Sequence, residues 1–175
     1  MTKSLRQLWV KLGIPADYAD SRHMPVQREA VRLVRVARNP DGRIVRLTPR
    51  AAAAWKRMQI AASNDGVALV PVSGFRSVRR QTRNIRRKLS DGIPIGEILR
   101  FIAAPGCSEH HTGRALDLGS PDALELTEKF ARTAEYRWLR KHAGKFGFRL
   151  SYPRRNSHGI GYEPWHWRWQ STGKT

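Results

Sequence analysis

A chain of 175 residues is the size of one ordinary domain, and its 40% hydrophobic and 27% charged residues exclude intrinsic disorder and leave enough apolar material for a core. Gly (14) and Pro (10) are too few for a collagen-like or low-complexity chain, and no apolar run approaches the ~18 residues of a membrane span. Lys and Arg (33) against Asp and Glu (14) give a net charge of +19, a field that attracts polyanions (nucleic acid, anionic lipid, envelope polymers) without choosing among them.

In chain order, residues 4–12 predict a short helix, followed by a loop containing Pro15 and Asp17. Lys3 and Arg6 precede no apolar stretch of the ~7–15 residues a secretory leader needs. No signal peptide is therefore expected, which leaves the cytoplasm, release by lysis or a dedicated export route. Residues 31–47 predict a β-hairpin, with Val31, Leu33 and Val36 on one arm, Ile44, Val45 and Leu47 on the other, and Asn39-Pro40-Asp41-Gly42 as the turn. An amphipathic helix over 27–38 is the rival reading. Thr48-Pro49 is a helix start, with Thr as N-cap and Pro at the first helical position; the helix runs through Ala51–Ala62 and stops before Gly66. The continuous apolar run Val67–Val72 predicts a short buried strand. Ser77 caps a helix over about 78–90 that Asp91-Gly92 ends, and a shorter helix follows over 94–101. Gly113–Leu118 predicts a strand, 123–144 one or two helices, and Phe146–Ser151 and Trp165–Trp169 closing strands. Helices alternate irregularly with short strands, so the class is α+β with a small, mainly antiparallel sheet. Residues 1–47 read as an N-terminal helix and hairpin extension, 48–170 as the main domain and 171–175 as a tail. The single cysteine, Cys107, excludes an internal disulfide and a Cys-based zinc site.

Three segments concentrate chemically useful side chains: Ser73-Gly-Phe-Arg-Ser77 with Gln81, Ser108-Glu-His-His-Thr-Gly-Arg-Ala-Leu-Asp117, and Tyr162-Glu-Pro-Trp-His166. His110, Asp117 and His166 offer two imidazoles and a carboxylate, a donor set that suits a catalytic zinc with one position left for water. Such a water needs a proton acceptor. Glu163 lies three residues before His166, and Pro164, lacking an N–H, breaks the strand there, so Glu163 is expected in the approach loop with His166 opening the strand.

The pattern Ser-x-His-x-x-Gly-x-Ala-x-Asp at 108–117, followed by Glu-x-Trp-His at 163–166, resembles the VanY-like D-alanyl-D-alanine carboxypeptidases. These zinc peptidases of bacterial peptidoglycan are grouped with D-Ala-D-Ala dipeptidases and phage L-alanyl-D-glutamate endolysins. Ser73 to Ser77 and Gln81 look like the family's upstream Ser-Gly-Tyr-Arg-Ser…Gln motif, with Phe75 in place of Tyr, and the similarity covers roughly residues 48–170. The resemblance implies a hedgehog/DD-peptidase-like fold, a small sheet with helices packed on one side. It further implies that His110, Asp117 and His166 hold zinc, that Glu163 activates the zinc-bound water as general base and then acid, and that Arg76 stabilises the oxyanion. Gln81, Ser108, Trp165 and Tyr152 match positions that line the substrate site. The implied substrate is a peptidoglycan stem peptide, cut by DD- or LD-carboxypeptidase action, with the endolysin reaction as the alternative.

Several residues carry plainer expectations. His111 neighbours a ligand position without matching the motif, so a solvated or supporting role is expected; His23, His142 and His158 are expected at the surface. Asp117 lies between Leu116 and Leu118, where an isolated carboxylate is costly, so either a metal or an Arg partner such as Arg114 is required. Trp165, Trp167 and Trp169 alternate along one strand and are expected mostly in the core. Seven basic residues and no acidic one occupy 76–88: a solvated helix face, or a contact for anionic envelope polymers. A nucleic-acid-binding protein is the rival from another class, but no helix-turn-helix, zinc-finger or RNA-binding signature is present, so no specific nucleic-acid partner is expected. A non-haem iron oxygenase also uses two His and a carboxylate; the added Glu163 argues against it.

Overall fold

The hairpin and a second, four-stranded sheet set the frame of the computed structural model, which describes residues 1–171. Strands β1 (Val34–Arg38) and β2 (Ile44–Leu47) pair antiparallel. Strands β3 (Val70–Ser73), β4 (Ala115–Gly119), β5 (Phe148–Leu150) and β6 (His166–Trp169) lie in the order β3-β4-β6-β5, every pairing antiparallel. The α+β class with a small antiparallel sheet is therefore present. The expected tail lies, from residue 172 onward, outside the described residues.

The hairpin reading holds and the helix over 27–38 does not form, although β1 starts at Val34 and Val31 is fully exposed. Asn39 secures the turn: its side chain accepts from the Arg43 N–H (2.7 Å) and donates to the Val72 carbonyl (3.0 Å), tying hairpin to sheet. Helix α3 (Pro49–Asn64) buries Ala51, Ala54, Trp55, Met58 and Ala62, a helical-period stripe. Thr48 occupies the N-cap position but makes no capping bond with its side chain; its own N–H is held by the Gly113 carbonyl at 2.8 Å. Strand β3 is shorter than the apolar run 67–72 because Val67 donates to the Ala62 carbonyl (2.8 Å) and so belongs to the end of α3. Within 123–144 only α6 (Ala134–His142) is α-helical, started by Thr133, whose hydroxyl accepts from the Tyr136 N–H; Glu128–Arg132 and Ala143–Phe146 are 3-10 turns.

The buried side chains form two cores. The first packs α3, β2 and α6 onto Leu116, Leu118, Phe148 and Trp167. The second gathers Trp9 of α1 (Lys3–Lys11), Tyr18 of α2 (Tyr18–Ser21, not foreseen), Ile85 of α4 (Val78–Ser90) and Ile98 of α5 (Ile95–Ile98) around Cys107 and Tyr152. Each such side chain contributes about 1.5–3 kcal/mol on burial. Residues 1–47 thus enter both cores. Trp9 Nε1 donates to the Pro105 carbonyl, and the strap at residues 27–30 donates N–H groups from Gln27 to Gly106 O (2.7 Å) and from Ala30 to His111 O (2.8 Å). No helix among the described residues is long and apolar enough to cross a membrane.

Glycine at 74 is a packing requirement. A Cβ there would lie 2.6 Å from the Arg46 carbonyl oxygen and 2.9 Å from Val45 Cγ1, while the next N–H, of Phe75, donates to that same carbonyl at 2.8 Å. Gly74→Ala is expected to push β2 and the end of β3 apart and to destabilise the fold by about 1–3 kcal/mol. Chemical denaturation checks this; wild-type stability in the variant contradicts it.

Candidate metal centre

Register places the first two donors. Asp117 of β4 pairs directly with His166 of β6, so both side chains leave the same face of the sheet, while Leu116 and Trp167, also paired, face the first core. Asp117 Oδ1 lies 3.0 Å from His166 Nδ1. His110 arrives from a one-turn 3-10 helix, Glu109–Thr112, that Gly113 ends in a left-handed conformation at φ 61°. Its Nδ1–H donates to the Gly74 carbonyl at 2.7 Å, which leaves the lone pair on Nε2, 3.1 Å from Asp117 Oδ2. One ligand atom from each of His110, Asp117 and His166 lies within 4.8 Å of the others, and all three side chains are buried. A neutral imidazole lone pair facing a carboxylate oxygen is repulsive unless a cation lies between them. These donors fit a divalent ion of the zinc type.

The remaining expected site residues line the same cavity, about 620 Å³ in volume. Arg76 follows β3; its Nη2 is 3.7 Å from Asp117 Oδ2 and its Nη1 donates to Gln81 Oε1 at 3.0 Å. Gln81 is fixed in turn by donating to the Ala103 carbonyl at 2.7 Å. Glu163 stands in the approach loop, its carbonyl accepting from the His166 N–H across Pro164, and its carboxylate is 3.9 Å from His166 Nδ1. Ser108, Tyr152 and Trp165 border the cavity, and the Tyr152 ring lies 4.8 Å from that of His166. Phe75 is not among the residues lining it.

Arg114 is not Asp117's partner: it is exposed and lies over the Trp169 ring, and Arg76 takes the place beside the carboxylate. Of the two roles expected for His111 the supporting one is present: it is fully buried, its Nδ1 donates to the Arg76 carbonyl and its Nε2 accepts from the Gly106 N–H, so it holds the backbone behind Arg76. His142 and His158 are half-buried, stacking on Trp138 and against Tyr152; His23 is exposed.

Glu109 is the functional residue that sequence reasoning passed over. Its carboxylate accepts from His166 Nε2 (2.9 Å), Ser151 Oγ (2.6 Å) and Arg168 Nη1 (3.0 Å), which turns His166 so that Nδ1 faces the other donors. The signal was an acidic residue directly beside a ligand position in a segment otherwise bound for the interior.

Burial and charge set the protonation of this cluster. Burial favours a neutral Glu109, but His166, Arg168 and the Ser151 hydroxyl outweigh it and hold the carboxyl down at about 2. Burial also opposes an imidazolium at His166, yet hydrogen bonds to Asp117 and Glu109 push it up to about 10. His110 is driven down to about 4 by burial, against the pull of Asp117, and Glu163 up to about 8 by burial, with Asp117 and Glu109 nearby. Asp117 stays ionised well below the usual carboxylate range: His110 and His166 overcome its burial.

Residues 44–172 match the VanY family, described as D-alanyl-D-alanine carboxypeptidase. YodJ of Bacillus subtilis (strain 168) is 41% identical over 125 residues, 68% of this chain; the chain spans only 44% of YodJ's length. Among solved structures, the LdcB LD-carboxypeptidase superposes with a TM-score of 0.73 at 33% identity, covering 83% of this chain and 71% of that one. A VanY D,D-pentapeptidase from a VanB-type resistance cassette, in complex with Zn(II), superposes with a TM-score of 0.63 at 26% identity, covering 83% of this chain and 82% of that one.

Two outcomes are expected of this cluster. Glu109→Ala lowers divalent-metal affinity about 10–100-fold, read by competition with a chromogenic chelator, and Glu109→Gln lowers it less; unchanged affinity in both contradicts the role. In metal-stripped protein, Glu109 (about 2 folded, 4.5 ordinarily) stabilises above pH 4.5 and loses this as pH falls, and His166 (about 10 against 6.5) stabilises below pH 6.5 and loses this as pH rises. His110, buried neutral, costs stability as pH falls from 6.5 to about 4, and Glu163, buried neutral, costs it as pH rises from 4.5 to about 8. The melting temperature under chelator therefore peaks between about pH 4.5 and 6.5 and falls toward pH 9; a flat profile across that range contradicts the assignment.

Proposed function

The chain belongs to the VanY family, and from that membership we propose that it is a zinc metallopeptidase hydrolysing peptidoglycan stem peptides as a D-alanyl-D-alanine carboxypeptidase. The observation that carries this reading is the convergence of His110, Asp117 and His166 in one cavity with a second carboxylate, that of Glu163, outside the donor set at its side. Zinc, when bound to those three residues, supplies Lewis acidity toward the attacking water and the scissile carbonyl.

The chain's own residues do the rest. Glu163 accepts the proton of the attacking water and delivers it to the leaving amine nitrogen; the nearby dication favours the ionised carboxylate with which the step begins. Arg76, braced by Gln81, directs a fixed positive charge at the carbonyl oxygen as it gains negative charge. Ser108, Tyr152 and Trp165 shape the walls that hold the peptide and exclude water. The exposed Arg79, Arg83, Arg86 and Arg87 of α4 add a field that draws the protein toward anionic envelope polymers and that salt screens.

Two related structures carry the descriptions LD-carboxypeptidase and D,D-pentapeptidase, so the bond cut is the point to measure. Mass spectrometry of products from defined penta-, tetra- and tripeptide muropeptides is expected to show loss of one terminal alanine; release of the whole stem identifies the endopeptidase reaction instead. Glu163→Gln is expected to retain stoichiometric zinc and lose at least about 100-fold in kcat. Full activity in that variant, or no zinc uptake by the wild type, overturns the proposal.

A further inference from the structure

A second cavity, of about 670 Å³, shares no lining residue with that of the metal centre. Among the described residues its walls carry five arginines and no Asp or Glu. Arg28 and Arg32 come from the segment leading to β1, Arg50 from the first turn of α3, Arg114 from the position before β4, and Arg168 from β6. Gly113 lets these segments approach. A Cβ there would lie 2.9 Å from Leu33 Cδ2 and 3.2 Å from both Ala30 Cβ and Thr48 Cγ2. Backbone bonds then fix the walls: Ala30 N–H donates to His111 O, Thr48 N–H to Gly113 O and Trp169 N–H to Arg114 O, each at 2.8 Å.

The converged charge is not balanced from within. Glu29 turns to α4, where its carboxylate accepts from the Val78 N–H, and Glu109 meets only Arg168, at 3.0 Å. Among the described residues Arg28, Arg32, Arg50 and Arg114 have no carboxylate within ion-pair distance. Two buried polar atoms of the lining residues, Thr48 Oγ1 and Arg168 Nε, have no hydrogen-bond partner there. The four uncompensated guanidiniums exceed the charge of roughly −1.5 to −2 on one phosphate monoester, so a chain that carries phosphate at each repeat matches them better. Their forked N–H groups suit phosphate oxygens taken two at a time. The aromatic ring of the cavity, Trp169, packs on the first core and has Arg114 over it, which leaves no platform for a nucleic-acid base. Val31, fully exposed at the rim, suits a short aliphatic linker instead.

We propose that this arginine cavity binds the backbone of a phosphodiester chain with small polyol linkers, Arg28, Arg32, Arg50 and Arg114 pairing with its phosphates. It is a holding site separate from the metal centre, and it stands whether or not the peptidase reading does.

The test titrates a short fluorescent poly(glycerol phosphate) onto the full chain and reads anisotropy between about 50 and 200 mM salt. The logarithm of the affinity is expected to fall against that of the salt concentration with a slope of about −3, as four phosphate contacts give. Arg32→Glu/Arg50→Glu weakens binding at least about tenfold and flattens the slope by about 1–2. Arg86→Glu/Arg87→Glu, the same change of charge on α4 outside the cavity, weakens it less than about threefold. Unchanged melting temperatures report that both variants are folded, and Arg32→Gln/Arg50→Gln repeats the measurement without charge reversal. Equal losses in the cavity and α4 variants trace binding to the overall field and overturn the site. Displacement of the chain by inorganic phosphate at equal molarity, or by phosphatidylglycerol vesicles, duplex DNA or polyglutamate at equal charge, overturns the ligand class. Muropeptide hydrolysis, measured in parallel, is expected to be equal in wild type and Arg32→Glu/Arg50→Glu; its loss in that variant alone overturns the separation of the two sites.

Discussion

One pair of facing residues, Asp117 on β4 and His166 on β6, is the constraint on which the centre depends. They meet because the two strands run antiparallel in one register, and the same register turns Leu116 and Trp167 into the core on the far face. A slip of one residue would carry the carboxylate into the apolar layer and expose a leucine to the cavity, so hydrophobic packing on one face enforces donor geometry on the other. His110, from outside the sheet, is brought to the pair by a carbonyl that exists at that spot because residue 74 has no side chain.

The pair also explains why so many charges can be kept from water. Asp117, Glu109, His166 and Arg76 neutralise one another in a nearly closed circuit, with Arg168 and Ser151 completing the valences of Glu109. Removing one member leaves a buried charge without its counterpart, which is far more costly than the loss of an exposed pair. Among the described residues Glu163 is the exception in having no hydrogen-bonded cation of its own, its nearest partner being His166 Nδ1 at 3.9 Å, and burial raises its pKa where the partners of Glu109 lower that one.

Much of this was legible in the chain before any coordinates. Local rules found the hairpin through Asn39-Pro40-Asp41-Gly42, the start of α3 at Pro49 and the capped basic helix after Ser77, since each signal lies within a few residues of the element it specifies. The candidate metal donors and Glu163 were named from spacing and residue type, and they line one cavity. One miss is local: Val67 looks like strand until its N–H is seen closing α3 on the Ala62 carbonyl, five residues back. The others originate in distant partners. Arg114 looks like the natural mate of Asp117 until Arg76, 41 positions away, is found beside it. Glu109 and His111 act through bonds to residues 35 to 59 positions away, a relation no local pattern encodes.

The strap at residues 27–30 bears on how this protein can be cut and rejoined. Its N–H groups hold the carbonyls of Gly106 and His111, on either side of the first imidazole donor, while Trp9 grips Pro105. The match to the family model begins later, at residue 44. Recombining modules at that border would leave the histidine turn without its scaffolding, so a chimera that keeps the geometry of the candidate metal centre has to carry these first thirty residues along with it.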